Sequence, residues 1–193
     1  MTLVRVLDDD VAHNYLQDME WATAFALESR YRMLAGMLAA LGMEPDEVGG
    51  RDAFINIHHN FARIEEHNGQ SLVVHRKGAT SARDGEIGII PGSMGAPSYI
   101  VRGRGNPESF MSCSHGAGRQ MSRTKARKSI TEESLKLALK GTHTRASRGY
   151  LDEAPQAYKD VTKVLAQQED LVDIIHTLRP LVTVKGDSKA KDD

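Results

Sequence analysis

SCSHGAGRQMSR, residues 112–123, places one histidine directly before Gly-Ala-Gly and two arginines within the next eight residues. Small residues beside His115 let a bulky group come close to the backbone, and their N–H groups can face a phosphate as an anion nest does. Arg119 and Arg123 are four residues apart, can share one helical face and can bind an anion. His115 is therefore a candidate nucleophile toward phosphorus. A buried, hydrogen-bonded histidine in a tight turn is the alternative.

The neighbouring segments offer further polar groups. PGSMGAPS, residues 91–98, places Ser93 and Ser98 beside two glycines, which suits contacts with a phosphate or a base but is equally typical of a plain turn. Cys113 lies two residues before His115 and is a second candidate nucleophile. Nothing in the sequence around it would lower the pKa of its thiol, so small buried packing is favoured.

A second histidine cluster occurs in NIHHNFARIEEH, residues 56–67. Adjacent side chains on a strand point to opposite faces, so at most one of His58 and His59 faces a given site. Imidazole together with carboxylate ligands suits manganese, iron or zinc. Surface or core histidines are the alternative. The candidate ligands are His58, His59, Glu65, Glu66 and His67.

The composition is that of one soluble globular domain. The chain has 193 residues, of which 40% are hydrophobic and 26% are charged. No run of eighteen apolar residues occurs, which predicts that nothing spans a membrane. The start, MTLVRVLDDDVAHNY, lacks the pattern of a signal peptide. A single cysteine cannot form an internal disulfide, and a cytoplasmic location is expected.

The net charge of −1 conceals a basic region. From Val101 to Arg148 there are eleven lysines or arginines and three acidic residues. Such a surface attracts polyanions and makes their binding sensitive to salt. A solvated basic face without a ligand is the alternative.

The periodicity predicts a mixed α and β chain. Helices are predicted over 8–42, ending at Gly42, over 129–141 with a Ser129–Glu132 capping box, and over 153–178 with Pro155 near its start. Strands are predicted in SLVVHRKGA, SYIVRG and a closing PLVTV, and turns in DGEIG and IIPGSMGAP. The last residues, 187–193, are predicted to be a disordered tail.

Several motifs together resemble one family. They are HHNFARIEEH, HRKGATSAR, IIPGSMGAPSYIVRGRGN, SHGAGRQMSRTKA, DEAPQAYKD and TVKG, in that order along the chain. The sequence resembles the C-terminal half of the RtcB family of GTP-dependent RNA-splicing ligases. The resemblance implies an α+β fold over residues 1–186, with mixed sheet layers and flanking helices, incomplete at its N-terminal side.

The resemblance also implies roles for single residues. His115 matches the histidine that carries GMP through a phosphoramidate bond, and His59 matches a manganese ligand. Tyr158 matches a residue that stacks on guanine, and Lys185 one that hydrogen-bonds the guanine edge. Residues matching the rest of the guanylate site are Ser93, Ser98, Gly116, Ala117, Gly118 and Arg119. Residues matching basic groups near the reacting phosphates or RNA are Lys77 and Arg123.

The implied activity is RNA repair or tRNA splicing with GTP and Mn²⁺. Its substrates would be the ends of broken tRNA or other RNA, and an archease-like activator is an implied partner. The family's upstream Asp-x-x-Cys-Gly and GGGNHF-like segments do not occur here. We therefore expect a fragment, a split or decayed gene, or a short form whose N-terminal half comes from another chain. A truncated, inactive homologue that binds only guanylate or RNA is the alternative function.

Overall fold

The computed structural model describes residues 2–5 and 10–185, and the predicted tail at 187–193 lies outside this part of the chain. The described strands are β1 (Thr2–Arg5), β2 (Asn60–His67), β3 (Gln70–Lys77), β4 (Ala79–Ser81), β5 (Ile87–Ile90), β6 (Ser98–Gly103), β7 (Ser112–Ser114) and β8 (Val172–Leu178). The described α-helices are α1 (Asp10–Ala40), α2 (Arg123–Ser129), α3 (Glu132–Ala138) and α4 (Val161–Ala166).

The long first helix agrees with the sequence pattern. Residues of α1 alternate small, apolar and polar side chains without proline, and the helix ends at Ala40, two residues before the predicted stop at Gly42. Gly42 has a φ of 73°, and the N–H of Met43 donates to the carbonyl of Leu38 at 2.9 Å. This is the Schellman arrangement, in which a left-handed residue lets the last carbonyls find donors.

The strands form three small antiparallel sheets in the orders β1-β3-β2, β4-β7 and β5-β6-β8. The predicted α+β class is confirmed. The predicted mixed sheet is wrong for the described strands, because every pairing among them is antiparallel. Short connections such as the Asn68–Gly69 turn between β2 and β3 return the chain directly to its neighbour, which gives antiparallel pairs.

The predicted helix over 153–178 is also wrong. Its first part consists of short 3-10 segments, α4 follows, and the chain then continues as β8. The end of the segment, VDIIHTL, contains β-branched residues and pairs with β6, with Ile174 opposite Val101. Pairing with a distant strand outweighed the local helical periodicity.

Smaller corrections concern caps and strand ends. The N-cap of α3 is Thr131, whose hydroxyl accepts the N–H of Ser134 at 3.1 Å, whereas Ser129 is the last residue of α2. β5 lies where turns were predicted. The segment PLVTV is no strand; the carbonyl of Leu181 accepts from the N–H of His143 at 2.7 Å instead.

Two cores flank the central loops. The first joins β5, β6, β7, β8 and α4, and includes Ile90, Tyr99 and Val172. The second joins α2, α3 and the 3-10 segments, and includes Met94 and Leu135. The loop after β5 therefore has Ile90 in one core and Met94 in the other. This anchoring fixes the loop at the junction where the candidate site lies.

The strands between Leu72 and Ile100 bury most of their large apolar side chains. Val74 and Ile90 are fully buried, and Leu72 is nearly so. Large exposed apolar side chains stand on α1 instead, among them Trp21 and Phe25, and Ala12 is the buried residue of that helix. No helix in the described part of the chain is long and apolar enough to cross a membrane.

Candidate active site

His115 follows β7 and is held by a single backbone group. Its Nδ1 lies 2.8 Å from the carbonyl oxygen of Gly78. A carbonyl only accepts hydrogen bonds, so Nδ1 carries the proton. When Nε2 is unprotonated, its lone pair points away from this bond, as a nucleophilic imidazole requires.

Gly78 connects His115 with His59. Its N–H donates to the carbonyl of His59 at 2.8 Å and to the side-chain oxygen of Asn60 at 3.3 Å. Its φ of 68° lies in the left-handed region, which favours glycine. Gly78 thus bonds the ring of His115 and the backbone of His59, and its role was missed from the sequence. The positive-φ requirement of a tight turn at the end of β3 is the signal that could have found it.

The rings of His59 and His115 are stacked, with centroids 5.2 Å apart and an interplanar angle of 12°. Burial lowers the pKa of His59 below its usual value, and the charges of His115 and Arg30 lower it further. His59 is therefore held in the neutral form that can bind a metal. His58 faces elsewhere: Arg30 and Asn56 lie 3.4 Å from its ring nitrogens.

The rest of the second histidine cluster does not form a metal site. Glu65 is buried and accepts two hydrogen bonds from Arg76, at 2.6 and 3.0 Å, and its Oε2 lies 3.0 Å from Nε2 of His67. Burial alone would raise the pKa of Glu65, but the bonds from Arg76, Arg63 and His67 outweigh it and lower the pKa. Glu66 points to the opposite, exposed face of β2. No group of three or more metal-binding side chains occurs among the residues described.

The loop that carries His115 is fixed at several points. Gln168 is buried and both accepts from the N–H of Ser114, at 3.1 Å, and donates to its hydroxyl, at 3.0 Å. Ala117 packs against the first core. The carbonyl of Gly118 accepts from the N–H of Lys159 at 3.0 Å. Cys113 is buried, its sulfur lies 3.1 Å from the hydroxyl of Thr80, and burial raises its pKa, so packing is its role as favoured from the sequence.

A cavity of about 410 Å³ lies beside this loop. Four of the predicted residues line it although 92 positions separate the first from the last: Ser93, Ser98, Tyr158 and Lys185. Gly92 lines it as well, and a Cβ there would lie 2.2 Å from the carbonyl oxygen of Pro97, so no other residue fits.

The two serines differ in their surroundings. The hydroxyl of Ser98 accepts from the N–H of Gly92 at 3.0 Å, which closes the loop. The hydroxyl of Ser93 is buried and lacks a hydrogen-bond partner within the described part of the chain. A buried polar group without a partner is unusual and suits a hydrogen bond to a ligand.

The cavity and His115 are neighbours through their loops. A Cβ on Gly116 would lie 3.4 Å from the carbonyl oxygen of Pro91, the residue that begins the cavity loop. The backbone of the Gly-Ala-Gly segment therefore runs directly beside the Pro-Gly-Ser segment.

Three of the predicted cations do not line the cavity. Arg119 donates to the carbonyl oxygens of Met121 and Asp152 and to the hydroxyl of Tyr158, and lies 4.8 Å from the centre of that ring. Its predicted contact with phosphates stays a prediction, because these protein groups already occupy the guanidinium. Arg123 begins α2 and is 70% exposed. Lys77 ends β3 at the surface, beside Gly78.

Comparison with known proteins identifies the family of the chain. The family model described as tRNA-splicing ligase RtcB matches residues 3–186. The RNA-splicing ligase RtcB of Escherichia coli K12 is 48% identical over 180 residues, covering 90% of this chain and 44% of that protein. The tRNA-splicing ligases RtcB of Nanoarchaeum equitans and Archaeoglobus fulgidus are 35% and 38% identical, and the aligned regions cover 43% and 35% of those proteins.

The chain belongs to the RtcB family. It spans less than half the length of these RtcB relatives. The resemblance read from its motifs is thereby confirmed.

One RtcB-motif residue in the cavity was missed from the sequence. Glu153 stands in DEAPQAYKD, five positions before Tyr158, and lines the cavity with it. Its carboxylate accepts from the hydroxyl of Tyr158 at 2.6 Å and lies 3.8 Å from Nζ of Lys185. Lys185 is distant from Glu153 in the sequence, and Tyr158 is a different type of residue. The spacing of residues along the chain therefore did not indicate that these three side chains form a cluster.

Proposed function

We propose that this chain carries the guanylate-accepting part of an RtcB-type RNA ligase. The ligase would join RNA 3′-phosphate or 2′,3′-cyclic phosphate ends to 5′-hydroxyl ends through a histidine–GMP intermediate. The observation that supports this best is the hydrogen bond from His115 Nδ1 to Gly78, beside a cavity lined by Ser93, Tyr158 and Lys185. It leaves Nε2 available for attack, and the loop that carries His115 runs beside the Pro-Gly-Ser loop of this cavity.

The proposed chemistry has three transfers. Nε2 of His115 attacks the α-phosphorus of GTP; an N–P bond forms, the α–β P–O bond breaks and pyrophosphate leaves. An oxygen of the RNA 3′-phosphate then attacks the same phosphorus, and His115 leaves. Finally the 5′-hydroxyl attacks the activated 3′-phosphate, loses its proton and displaces GMP. A cyclic phosphate end would first be hydrolysed to a 3′-phosphate.

The cavity offers recognition for guanine. Lys185 is a pure donor, so its ammonium can bind the O6 acceptor of guanine, whereas adenine presents a donor at that position. The ring of Tyr158 can stack on the base. The hydroxyl of Ser93, which lacks a partner among the described residues, can bind the ribose or a phosphate.

The described residues do not by themselves fit a complete manganese site. His59 supplies one imidazole ligand beside His115, and the groups that usually accompany it are not gathered around it in the described part of the chain. No step is therefore assigned to the metal. We propose that further ligands come from a polypeptide equivalent to the N-terminal half of the longer relatives.

A basic surface next to the site suits the RNA. α2 has the sequence RTKARKS and begins with Arg123, and its Lys125 and Lys128 are exposed. Ion pairs to Asp152 and Glu153 hold Arg127 and Arg123 toward the cavity side. Exposed cations in this position can contact the phosphates of an RNA end and would make its binding salt-dependent.

The test is covalent labelling. The chain is incubated with MnCl₂ and GTP labelled at the α-phosphate, with and without the N-terminal half of the E. coli relative, and run on a denaturing gel. We expect label on His115 in the presence of that half, labile in acid and stable in hydroxide, and none from γ-labelled GTP. His115→Ala should lose the label, whereas His13→Ala, on the surface of α1, should keep it. Label that persists in His115→Ala would contradict the assignment.

A second candidate is a guanylate-binding module without turnover. It is favoured by one observation: the cavity is built within this chain, whereas the metal ligands are not. This function predicts GTP binding without covalent label, even with the N-terminal half present. The same experiment, combined with equilibrium binding of GTP, therefore separates the two functions.

A further inference from the structure

Glu153 lines the cavity and lies at the centre of a cluster of polar and charged side chains. Its side chain is 26% exposed and has four cationic or hydroxyl neighbours. One oxygen, Oε2, accepts from the hydroxyl of Tyr158 at 2.6 Å and lies 3.8 Å from Nζ of Lys185. The other, Oε1, lies 3.5 Å from a guanidinium nitrogen of Arg119 and 3.5 Å from one of Arg123.

The two carboxylate oxygens of Glu153 contact residues with different expected roles. The residues on Oε2 are the two expected to contact the base, and those on Oε1 precede or begin α2, on the phosphate and RNA side. These groups come from three segments of the chain: one holds Arg119 and Arg123, the second holds Glu153 and Tyr158, and the third holds Lys185. One carboxylate therefore sets their relative positions.

A lysine needs such a partner to read a base. Its stem has several rotatable bonds and its ammonium is strongly hydrated, so an unrestrained Lys185 can turn toward water or toward any phosphate. An ion pair with Glu153 restrains the ammonium at the cavity wall and reduces its charge-based attraction for phosphate in general. The hydroxyl of Tyr158 is fixed by the same carboxylate, which orients the ring expected to stack on the base.

We propose that Glu153 is a positioning residue that determines selectivity for guanine over adenine by holding Lys185 and Tyr158. The inference rests on the proposed function, since it concerns the same nucleotide site. It assigns no direct contact between Glu153 and the nucleotide. The proposal predicts that removing the charge of the Glu153 carboxylate has a larger effect on the preference for guanine over adenine than on the affinity for the phosphates.

The experiment measures equilibrium binding of fluorescent GTP and ATP to the full 193-residue chain. Glu153→Gln should reduce the ratio of GTP to ATP affinity by roughly tenfold, the effect of losing about one charge-assisted hydrogen bond. Glu133→Gln, an exposed carboxylate on α3, is the matched control and should keep the wild-type ratio. Melting temperatures of all variants show whether the fold is kept.

A double-mutant cycle with Lys185 tests the positioning role. If Glu153 acts through Lys185, Glu153→Gln should add little further loss of selectivity to Lys185→Ala. Tyr158→Phe keeps the ring and removes the hydroxyl that Glu153 accepts from, so it should lower selectivity in the same direction. This variant serves as the second measurement should Glu153→Gln not fold.

The outcomes distinguish a failure of the role proposed for Glu153 from a failure of the proposed nucleotide site. Selectivity retained in Glu153→Gln and Tyr158→Phe, or independent and additive losses in the cycle with Lys185, would overturn the role of Glu153 and leave the nucleotide site standing. Wild-type chain that binds GTP and ATP equally, or neither, would refute the nucleotide site and this inference with it.

Discussion

His58 and His59 are adjacent in the sequence but have different neighbours, and both are expected to make stability depend on pH. Burial lowers the pKa of His58, and the charges of Arg30, Arg63 and His59 lower it further. A lowered pKa means that the folded state prefers the neutral ring. On acidification the unfolded chain therefore takes up the proton first.

The direction in which stability changes with pH follows from the lowered pKa of His58. The stabilisation is complete above the unfolded pKa of 6.5 and is lost as the pH falls from there toward the folded pKa. We expect the free energy of unfolding in urea to fall between pH 7.5 and pH 5.5, and His58→Gln to flatten this slope. Glu65 does not contribute to the pH dependence between pH 7.5 and pH 5.5, because its pKa is 4.5 in the unfolded chain and lower in the folded chain. An unchanged slope in His58→Gln would disprove the contribution of His58.

At the scale of elements, local periodicity did not predict where α3 begins or that β8 is a strand. Helix capping and strand pairing determine these two features. The capping box predicted at Ser129 belongs to no helix start, because α2 continues to that residue and its hydroxyl donates to the carbonyl of Lys125 at 2.8 Å. Thr131 caps α3. Ser129 and Thr131, the predicted and the observed N-cap of α3, are two residues apart. Their contributions to stability can therefore be compared directly.

Thr131→Ala should destabilise the chain by about 1 kcal/mol, the usual effect of losing an N-cap hydroxyl. Ser129→Ala removes an exposed hydroxyl at a helix end and should change stability by a few tenths of that amount. Thermal or urea unfolding of both variants measures the difference. Equal effects would show that α3 begins elsewhere.

At the scale of the whole molecule, the prominent feature is the exposed apolar surface of α1. Trp21 and Phe25 are 72% and 65% exposed, and their rings stack with centroids 5.9 Å apart. Met33 and Met37 are further exposed apolar residues of the same helix, and the exposed Leu41 directly follows it. An apolar surface of this extent is typical of an interface.

We expect the isolated chain to associate in solution through this helix. The double variant Trp21→Ser with Phe25→Ser should lower the average mass measured by light scattering. Leu137→Ser is the control, because Leu137 is 73% exposed on α3 and away from that surface. A monomeric wild-type chain would contradict the expectation, as would equal effects of the two sets of changes.

Some of this protein could be predicted from its sequence alone. The long α1, the strands around Val73 and Val101, and the motif residues depend on local periodicity or on glycines and serines with fixed chemistry. Family membership followed from those motifs and is confirmed. Each of these features is written in consecutive residues, so neighbouring side chains are enough to indicate it.

Tertiary structure alone decided the rest. β8 exists because Val172–Leu178 finds β6 some seventy residues earlier, a pairing that outweighs helical periodicity. His115 donates a hydrogen bond to the carbonyl oxygen of Gly78, and Glu153 brings together Tyr158, Lys185 and two arginines. The energies of such contacts depend on distance in space, which the order of residues along the chain does not specify. The candidate ligands at residues 56–67 show the same limit, since an ion pair with Arg76 takes up Glu65.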